Sequence, residues 1–321
     1  MPELDEFDRR IVAALQANAR APWRTIAAAL GEHERAVARR GAELLADQRV
    51  SVVGIRPHPA ALLVRGRCSP GSSLVSVESL AGRSDTSFTY AVTGSSDVVA
   101  EVLTYPERLG NLLALELATT PGLSGLESFP ILKYFRTIRD WRLDVLTPAQ
   151  LESLRPRHQS DGMFLRSTPE MSPSDLDIVG CLTRDGRMGY EEIARRAGVS
   201  ETTARRRVDW LLQNEHVHLR ALVEPSLVGL PVEALLWLRV APHRVEEIGQ
   251  AFGRDRRVRY AAALAGSSQI MVDVTLPSTH DLYTFVTEGA WASGIESMDI
   301  SLVVRARKRG GRITPAAATA P

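Results

Sequence analysis

Residues 200–211 read Ser-Glu-Thr-Thr-Ala-Arg-Arg-Arg-Val-Asp-Trp-Leu, three consecutive cations inside a short amphipathic helix. At 100° per residue, Ala204, Val208 and Leu211 fall within about 60° of one another and form the stripe that must be buried. Arg205 and Arg206 then lie roughly 90–190° from that stripe, on the open face with Thr202, Asp209 and Trp210. Arg207 falls about 70° to the other side, at the border, where its stem packs and its guanidinium reaches an acid. Ser200 is a good N-cap. Upstream, Tyr190, Ile193, Ala194 and Ala197 give an apolar stripe that ends at Gly198, and Ile178, Cys181 and Leu182 give another before it. The two residues between Gly198 and the next helix leave room only for a tight turn. Helix, glycine-containing turn and basic helix form a helix-turn-helix.

The same plan occurs earlier in the chain. Asp8, Ile11, Leu15, Arg20, Ile26, Ala27, Gly31, Glu34, Arg39, Arg40, Leu44, Leu45 and Val50 each meet the same residue type 167 positions later. Further on, Gly94-Ser-Ser matches Gly266-Ser-Ser at an offset of 172, and Gly125-Leu-Glu-Ser matches Gly294-Ile-Glu-Ser at 169. The chain is therefore a tandem duplication with small loop-length changes. After the second helical trio, Ala234–Val240, Tyr260–Ala265, Ile270–Leu276 and Met298–Arg305 read as strands. Arg244–Phe252 and Ser278–Ala292 read as helices between them, giving the βαββαβ order of a ferredoxin-like unit. A fainter copy runs from Leu62 to about Arg139.

These readings define an α+β chain with two winged-type helix-turn-helix domains and two ferredoxin-like domains in tandem. The boundaries are 1–56 and 57–150 for the first pair, a linker at 151–172, 173–225 and 226–309 for the second pair, and a disordered tail at 310–321. At 321 residues, 44% apolar and 24% charged, the chain is long enough for such a set of cores. No apolar run approaches the roughly 20 residues needed to span a bilayer, so no membrane partner is expected and the protein is placed in the cytoplasm. Cys68 and Cys181 alone make neither a disulfide framework nor a metal site. With a net charge of +1, a polyanion partner would have to meet a local patch.

Taken alone, the arginine run is a solvated face with salt bridges to Glu201 or Asp209. The capped turn, the helical phase and the duplicate copy favour contact with double-stranded DNA instead. A reading helix presents its N-terminal part to the major groove, which places Ser200, Thr202, Arg205 and Arg206 against base edges or phosphate. Arg35 and Arg39 take that role in the first copy. Arg207 and its counterpart Arg40 are expected to form scaffold ion pairs with Asp175 and Asp8. The first reader has His33 in place of the serine cap, and Gly41 in place of Val208, with Val37 expected to fill part of the space. Both copies should fold, the second gripping DNA better.

On Asp8-Arg-Arg-Ile-Val-Ala-Ala-Leu, Arg20, Ile26-Ala, Gly31 and Ala38-Arg-Arg, and more closely on Ser200-Glu-Thr-Thr-Ala-Arg-Arg-Arg-Val, the chain resembles the Lrp/AsnC (feast/famine) regulators, here doubled. The βαββαβ units are similar to that family's ligand-sensing RAM domain. The resemblance implies a sequence-specific transcriptional regulator that responds to an amino acid or related small-molecule effector and self-associates into a homo-oligomer. The effector would lie near a Gly-x-x-Asp turn. Gly94-Ser95-Ser96-Asp97 fits it, whereas Gly266-Ser267-Ser268-Gln269 has lost the charge, so the first half is expected to sense. The alternative is that both are strand turns chosen for backbone geometry. Sheet-to-sheet pairing of the two units and association through open strand edges are further expectations. Effector binding would then shift the relative placement of the readers.

Haem-pathway decarboxylases share this architecture and depend on basic residues and histidines in the sensing units. Those units here hold few histidines, His243 and His280 among them. His216 and His218, after the second reader, lack a further ligand for a metal. Nucleophile-elbow, phosphate-loop and His-Glu-x-x-His motifs do not occur. The expectation is a protein without catalytic residues, cofactor or metal, not an enzyme, with a decarboxylase or a non-DNA-binding sensor as the rival readings.

Overall fold

The computed structural model describes residues 2–156, 170–289 and 291–314. Residues 157–169 of the expected linker and 315–321 of the expected tail lie outside the described residues. The chain opens with α1 (Glu6–Ala17), α2 (Trp23–Leu30), α3 (Glu34–Ala46) and β1 (Val50–Ile55). Then come β2 (Ala60–Cys68), α4 (Ser73–Gly82), β3 (Thr86–Val92) and β4 (Val98–Thr104). A short α5 (Leu109–Asn111) runs into a π-helical stretch, Leu112–Leu117, before β5 (Leu123–Arg136). After α6 (Pro148–Leu154) the plan returns as α7 (Pro173–Arg184), α8 (Tyr190–Ala197), α9 (Glu201–Gln213) and β6 (His218–Val223). The chain ends with β7 (Val232–Val240), α10 (Val245–Arg254), β8 (Val258–Leu264), β9 (Ile270–Leu276), α11 (Thr279–Glu288), β10 (Ile295–Arg309) and β11 (Arg312–Ile313). The last of these is a correction: the strand pairs Lys308 with Ile313 inside what the sequence assigned to a disordered tail.

Two compact units result. The helical one joins the chain up to Pro57 with Arg142–Val228. Residues 142–154 thus pack with the helices: Leu146 and Leu154 are buried, and the Leu143 N–H donates to Gln16 Oε1 at 2.9 Å. Each trio buries the stripe its sequence phases, Ala204, Val208 and Leu211 in α9 and Val37 and Leu44 in α3. Gly31 and Gly198 take the left-handed conformation (φ +69° and +64°) that ends α2 and α8. The border arginines do what their phase predicts. Arg207 Nε donates to Asp175 Oδ1 at 2.6 Å and its Nη2 to Oδ2, while Arg40 donates to both oxygens of Asp8 at 2.9 and 2.8 Å. Burial pushes the Asp175 carboxyl up, but the Arg207 guanidinium and the Ser172 hydroxyl and N–H outweigh it and bring it down to about 2. In Asp8 burial and the adjacent Asp5 charge win, and the shift is upward.

The two trios are joined reciprocally. Arg20 donates to the carbonyls of Gly186 (2.7 Å) and Met188 (3.1 Å), and Arg187 to those of Ala19 (2.7 Å) and Ala21 (3.1 Å). β1 and β6 pair antiparallel from Val50↔Val223 to Ile55↔His218. The readers α3 and α9 therefore belong to one body.

Gly41 corrects a sequence expectation. Val37 is buried in its own right, and the room beside Gly41 is taken by the Trp23 ring. A Cβ at Gly41 would stand 2.4 Å from Trp23 Cζ3 and Cη2. Gly41→Ala gains up to about 1 kcal/mol of helix propensity but overpacks a filled slot, a cost of about 1–3 kcal/mol. Urea unfolding should show net destabilisation. Gly180→Ala in α7, where a Cβ meets open space, should stabilise; a stabilised Gly41→Ala would show that the Trp23 ring moves freely.

The second unit comprises His58–Trp141 and the chain from Gly229 onward. Both βαββαβ orders form, and β5 and β10 are long enough to serve two neighbours each. β5 pairs with β2 through Pro130 and with β8 from Ile131; β10 pairs with β7 through Leu302 and with β3 from Val303. The order β10-β3-β4-β2-β5-β8-β9-β7 returns to β10 and closes a barrel. The sequence led to stacked sheets with open edges; instead the edges pair within the chain, and none of these eight barrel strands keeps a free edge. Alternation then separates two environments. On β7, Ala234, Leu236 and Leu238 join the core outside the barrel, with Phe252 of α10 and Phe285 of α11, whereas Leu235 and Trp237 join Leu63, Phe88 and Met271 inside it.

Candidate nucleic-acid interface and sensing cavity

α9 is built to hold its N-terminus open and ordered. The Ser200 Oγ accepts the Thr203 N–H at 3.2 Å, so this serine is the cap. Thr202, Arg205, Arg206 and Asp209 are exposed on the face opposite the buried stripe. The Arg205 guanidinium lies 4.5 Å from the centroid of the Tyr190 ring and 3.5 Å from Glu201. Tyr190, at the start of the preceding helix, thus orients a reader that sequence phasing treats as free. In the first copy Arg35 and Arg39 are exposed, Arg39 is paired with Glu43 at 3.0 Å, and the N-terminus of α3 has no side-chain cap. Both sets of cations can approach a polyanion, and the second alone starts from a capped helix and has a ring, that of Tyr190, beneath one of its guanidinium groups.

The two glycine turns differ. Gly94-Ser95-Ser96-Asp97 joins β3 to β4. The Asp97 carboxylate accepts the Cys68 N–H at 2.7 Å, and its own N–H donates to the Gly66 carbonyl at 2.9 Å, so the residue fastens β2 to the turn. Ser96 is buried, and the Ser95 hydroxyl donates to Asp299. Gly266-Ser267-Ser268-Gln269 joins β8 to β9 and lines a cavity of about 610 Å³ with Arg65, Trp237, Arg239 and Asp299. Gln269 closes the turn: its Oε1 accepts the Val240 N–H at 3.1 Å and its Nε2 donates to the Gly266 carbonyl at 3.0 Å. Gly266 stands at φ +147°, and a Cβ there would lie 2.7 Å from Phe129 Cδ1.

Arg65 reaches Glu127 (2.6 Å) and Asp299 (3.1 Å), with its guanidinium 5.0 Å from the Trp237 ring centroid. A cavity with two guanidinium groups, two carboxylates (Asp299 and Glu296) and turn hydroxyls can hold a ligand bearing both a carboxylate and an ammonium. Of the seven turn residues singled out from sequence, Gly266, Ser267 and Ser268 line this cavity. Gly94, Ser95, Ser96 and Asp97 do not, although Ser95 holds its Asp299 wall. Sequence reading missed Arg65, Trp237, Arg239 and Asp299. The offset of 172 carries a signal for one of them, Arg239, on which it superposes Arg67; it superposes Arg65 on the unlike Trp237.

Among the described residues no helix is long and apolar enough to cross a membrane, and no cluster of three His, Cys, Asp or Glu could hold a metal. The AsnC-type helix-turn-helix domain matches residues 4–45 and 171–212, and the Lrp/AsnC ligand binding domain matches residues 233–313. An uncharacterized HTH-type transcriptional regulator of Pyrococcus furiosus is 31% identical over 138 residues, 42% of this chain and 93% of that protein. The HTH-type transcriptional regulator AldR of Mycobacterium tuberculosis is 28% identical over 131 residues, 38% of this chain and 73% of its own. Over its whole length the chain shares its fold with the siroheme decarboxylase NirDL, at a TM-score of 0.61 and 13% identity, covering 98% of this chain and 95% of that one. This corrects the expectation of a non-enzyme, because the full doubled architecture is one on which an enzyme is built. Both helical trios and the second βαββαβ module nonetheless match family domains, and the Pyrococcus relative is matched over nearly its full length: the chain belongs to the Lrp/AsnC family.

Proposed function

We propose that the chain is a sequence-specific DNA-binding transcriptional regulator that reads DNA with α3 and α9 and responds to an amino acid or related metabolite. The observation that carries this reading is the capped α9, whose exposed face offers Thr202, Arg205 and Arg206 while Arg207 is spent on the scaffold. The tandem division stands as part of it, with residues 1–56 and 173–225 as the DNA-binding domains, 57–150 and 226–309 as RAM-type domains and 151–172 as the linker, except that residues 142–154 pack with the helical unit and fall outside both the first RAM-type domain and the linker. Gly266, Ser267 and Ser268 would offer backbone N–H groups to an effector carboxylate beside Arg65 and Arg239, with Asp299 facing its ammonium. Gly94, Ser95, Ser96 and Asp97 would shape the wall from behind. Self-association, with the barrel edges paired internally, is left to exposed apolar side chains such as Leu74 and Val75 of α4. An effector would have to act on the helical unit as a whole, since the four Arg20 and Arg187 bonds hold the readers together.

A second reading, decarboxylation of a tetrapyrrole carboxylate, is favoured by the whole-chain likeness to the siroheme decarboxylase and by the guanidinium groups at the cavity. One experiment separates the two. The purified protein is presented with a genomic fragment library at two salt concentrations and, separately, incubated with siroheme. A discrete site whose affinity falls steeply with salt and siroheme recovered unchanged are expected. Loss of carboxylate mass from siroheme with no fragment retained at either salt would replace the regulator by the enzyme.

A further inference from the structure

We infer that the DNA site of this protein is not a palindrome: a single chain presents two unlike readers in one body, so its two half-sites differ in sequence. The inference rests on the DNA-binding reading above. Arg20 bonds to Gly186 and Met188, and Arg187 to Ala19 and Ala21. Each donor and acceptor maps onto its counterpart at the offset of 167 that relates the two helical trios. A junction in which residue i meets j while j's copy meets i's copy is isologous, the mark of a two-fold relation. Two-fold-related readers meet half-sites of opposite orientation. Identical readers would then select an inverted repeat.

These readers are not identical. Along the N-terminal part and open face, Ser200, Thr202, Arg205, Arg206 and Asp209 of α9 stand where α3 has His33, Arg35, Ala38, Arg39 and Ala42. Only the Arg206/Arg39 position is shared. Apart from the half-buried Ala38, all these side chains are exposed, so the difference lies on the surface that meets DNA. Its chemistry is directional. A guanidinium fork matches the two acceptors of guanine, and a carboxylate accepts from the cytosine amino group. A methyl group offers only apolar contact, for example to thymine. The fork of α3 at Arg35 comes three positions earlier than that of α9 at Arg205, almost one helical turn. The two half-sites should therefore place their guanines at different distances from the dyad, and the half read by Asp209 carries a preference that Ala42 cannot supply.

The test is selection of double-stranded DNA from a random library by the full chain, in parallel with Thr202→Arg/Arg205→Ala, which gives α9 the residues of α3 at two reading positions, and with Arg35→Thr. The wild type is expected to return two unlike half-sites, with about tenfold discrimination at the differing positions. The double variant should convert one half-site toward the mirror of the other and leave that other unchanged. Arg35→Thr should alter only the opposite half. Thermal unfolding checks that these exposed changes leave the fold intact. A wild-type inverted repeat would overturn the inference while leaving DNA binding in place. So would a double variant that alters both halves alike, which means that two chains each supply the same reader. No enrichment at any salt would remove the regulator reading itself.

Discussion

Glu233→Gln is expected to cost the barrel about 3–5 kcal/mol of stability, the range for leaving a buried ion without its partner. Glu233 is buried inside the barrel and is the carboxylate that answers two buried guanidinium groups. Arg259 donates to its Oε1 at 2.8 Å, and Arg309 donates to both oxygens and to the Tyr90 hydroxyl, the latter at 3.0 Å. The Trp141 ring covers Arg259, 5.0 Å from centroid to guanidinium. Asp273, also buried, hydrogen-bonds to Glu233, and burial together with the Glu233 charge pushes its carboxyl far above the ordinary range. Asp273 is therefore the neutral, protonated partner at neutral pH. Three outcomes follow for urea unfolding at pH 7. Asp273→Asn, which replaces one neutral group by another, should cost less than about 1 kcal/mol, as an amide can keep the hydrogen bond. Glu233→Gln should cost several times more, softened because Asp273, released from a neighbouring charge, ionises in its place. The double variant should then lose more than the sum of the singles, since that reserve is gone. The pH dependence has a definite sign. The folded Asp273 keeps its proton while an unfolded aspartate loses its own near pH 4. This residue thus makes wild-type stability fall as pH rises from about 4 through neutrality, and Asp273→Asn should flatten that slope. Equal, small effects of the two single variants would show that water reaches the cluster.

That cluster also shows where sequence reading stops. Alternation on β7 and β9 marks Glu233 and Asp273 as residues of the face opposite Leu236 and Val272, and in an open sheet that face is wet. Here it is the inside of a barrel, closed by pairings such as Ile131↔Leu264 and Val303↔Val92 that join distant strands and leave no local trace. The cavity is hidden for the same reason: Arg65 and Asp299 meet although 234 positions separate them. What was legible is what repeats or caps locally. The three helices of each trio and the Arg207–Asp175 pair follow from helical phase read twice, 167 positions apart, and the Ser200 cap from the residue type that ends the turn before α9. Gly41 was visible as a poor helix former but not as the slot for Trp23, because propensity is a property of one residue and packing of two.

Arg205→Ala/Arg206→Ala should weaken binding to the protein's DNA site at least about 30-fold, taking about 1–3 kcal/mol for each arginine lost from a base edge. The gross interaction must exceed that net loss only slightly. Arg205 gives up an exposed pair with Glu201, worth about 0–1 kcal/mol, and the Tyr190 ring beneath it already limits the rotamers it would otherwise have to lose. Titrations at several salt concentrations divide the loss by cause. If the arginines grip phosphate, the slope of log affinity against log salt should shrink by about 0.9 for each contact removed, with base preference intact. If they read bases, the slope should hold and the preference relax at the positions facing α9. Arg39→Ala should cost less than Arg205→Ala, because α3 starts without a cap and Arg39 must first leave a 3.0 Å pair with Glu43. Each of these side chains is exposed, so unfolding midpoints should move by no more than about 0.5 kcal/mol equivalent, and a loss of affinity cannot be ascribed to misfolding. Equal losses from the two single variants would mean that the cap and the Tyr190 support give α9 no advantage, and that the two readers grip alike however differently they read.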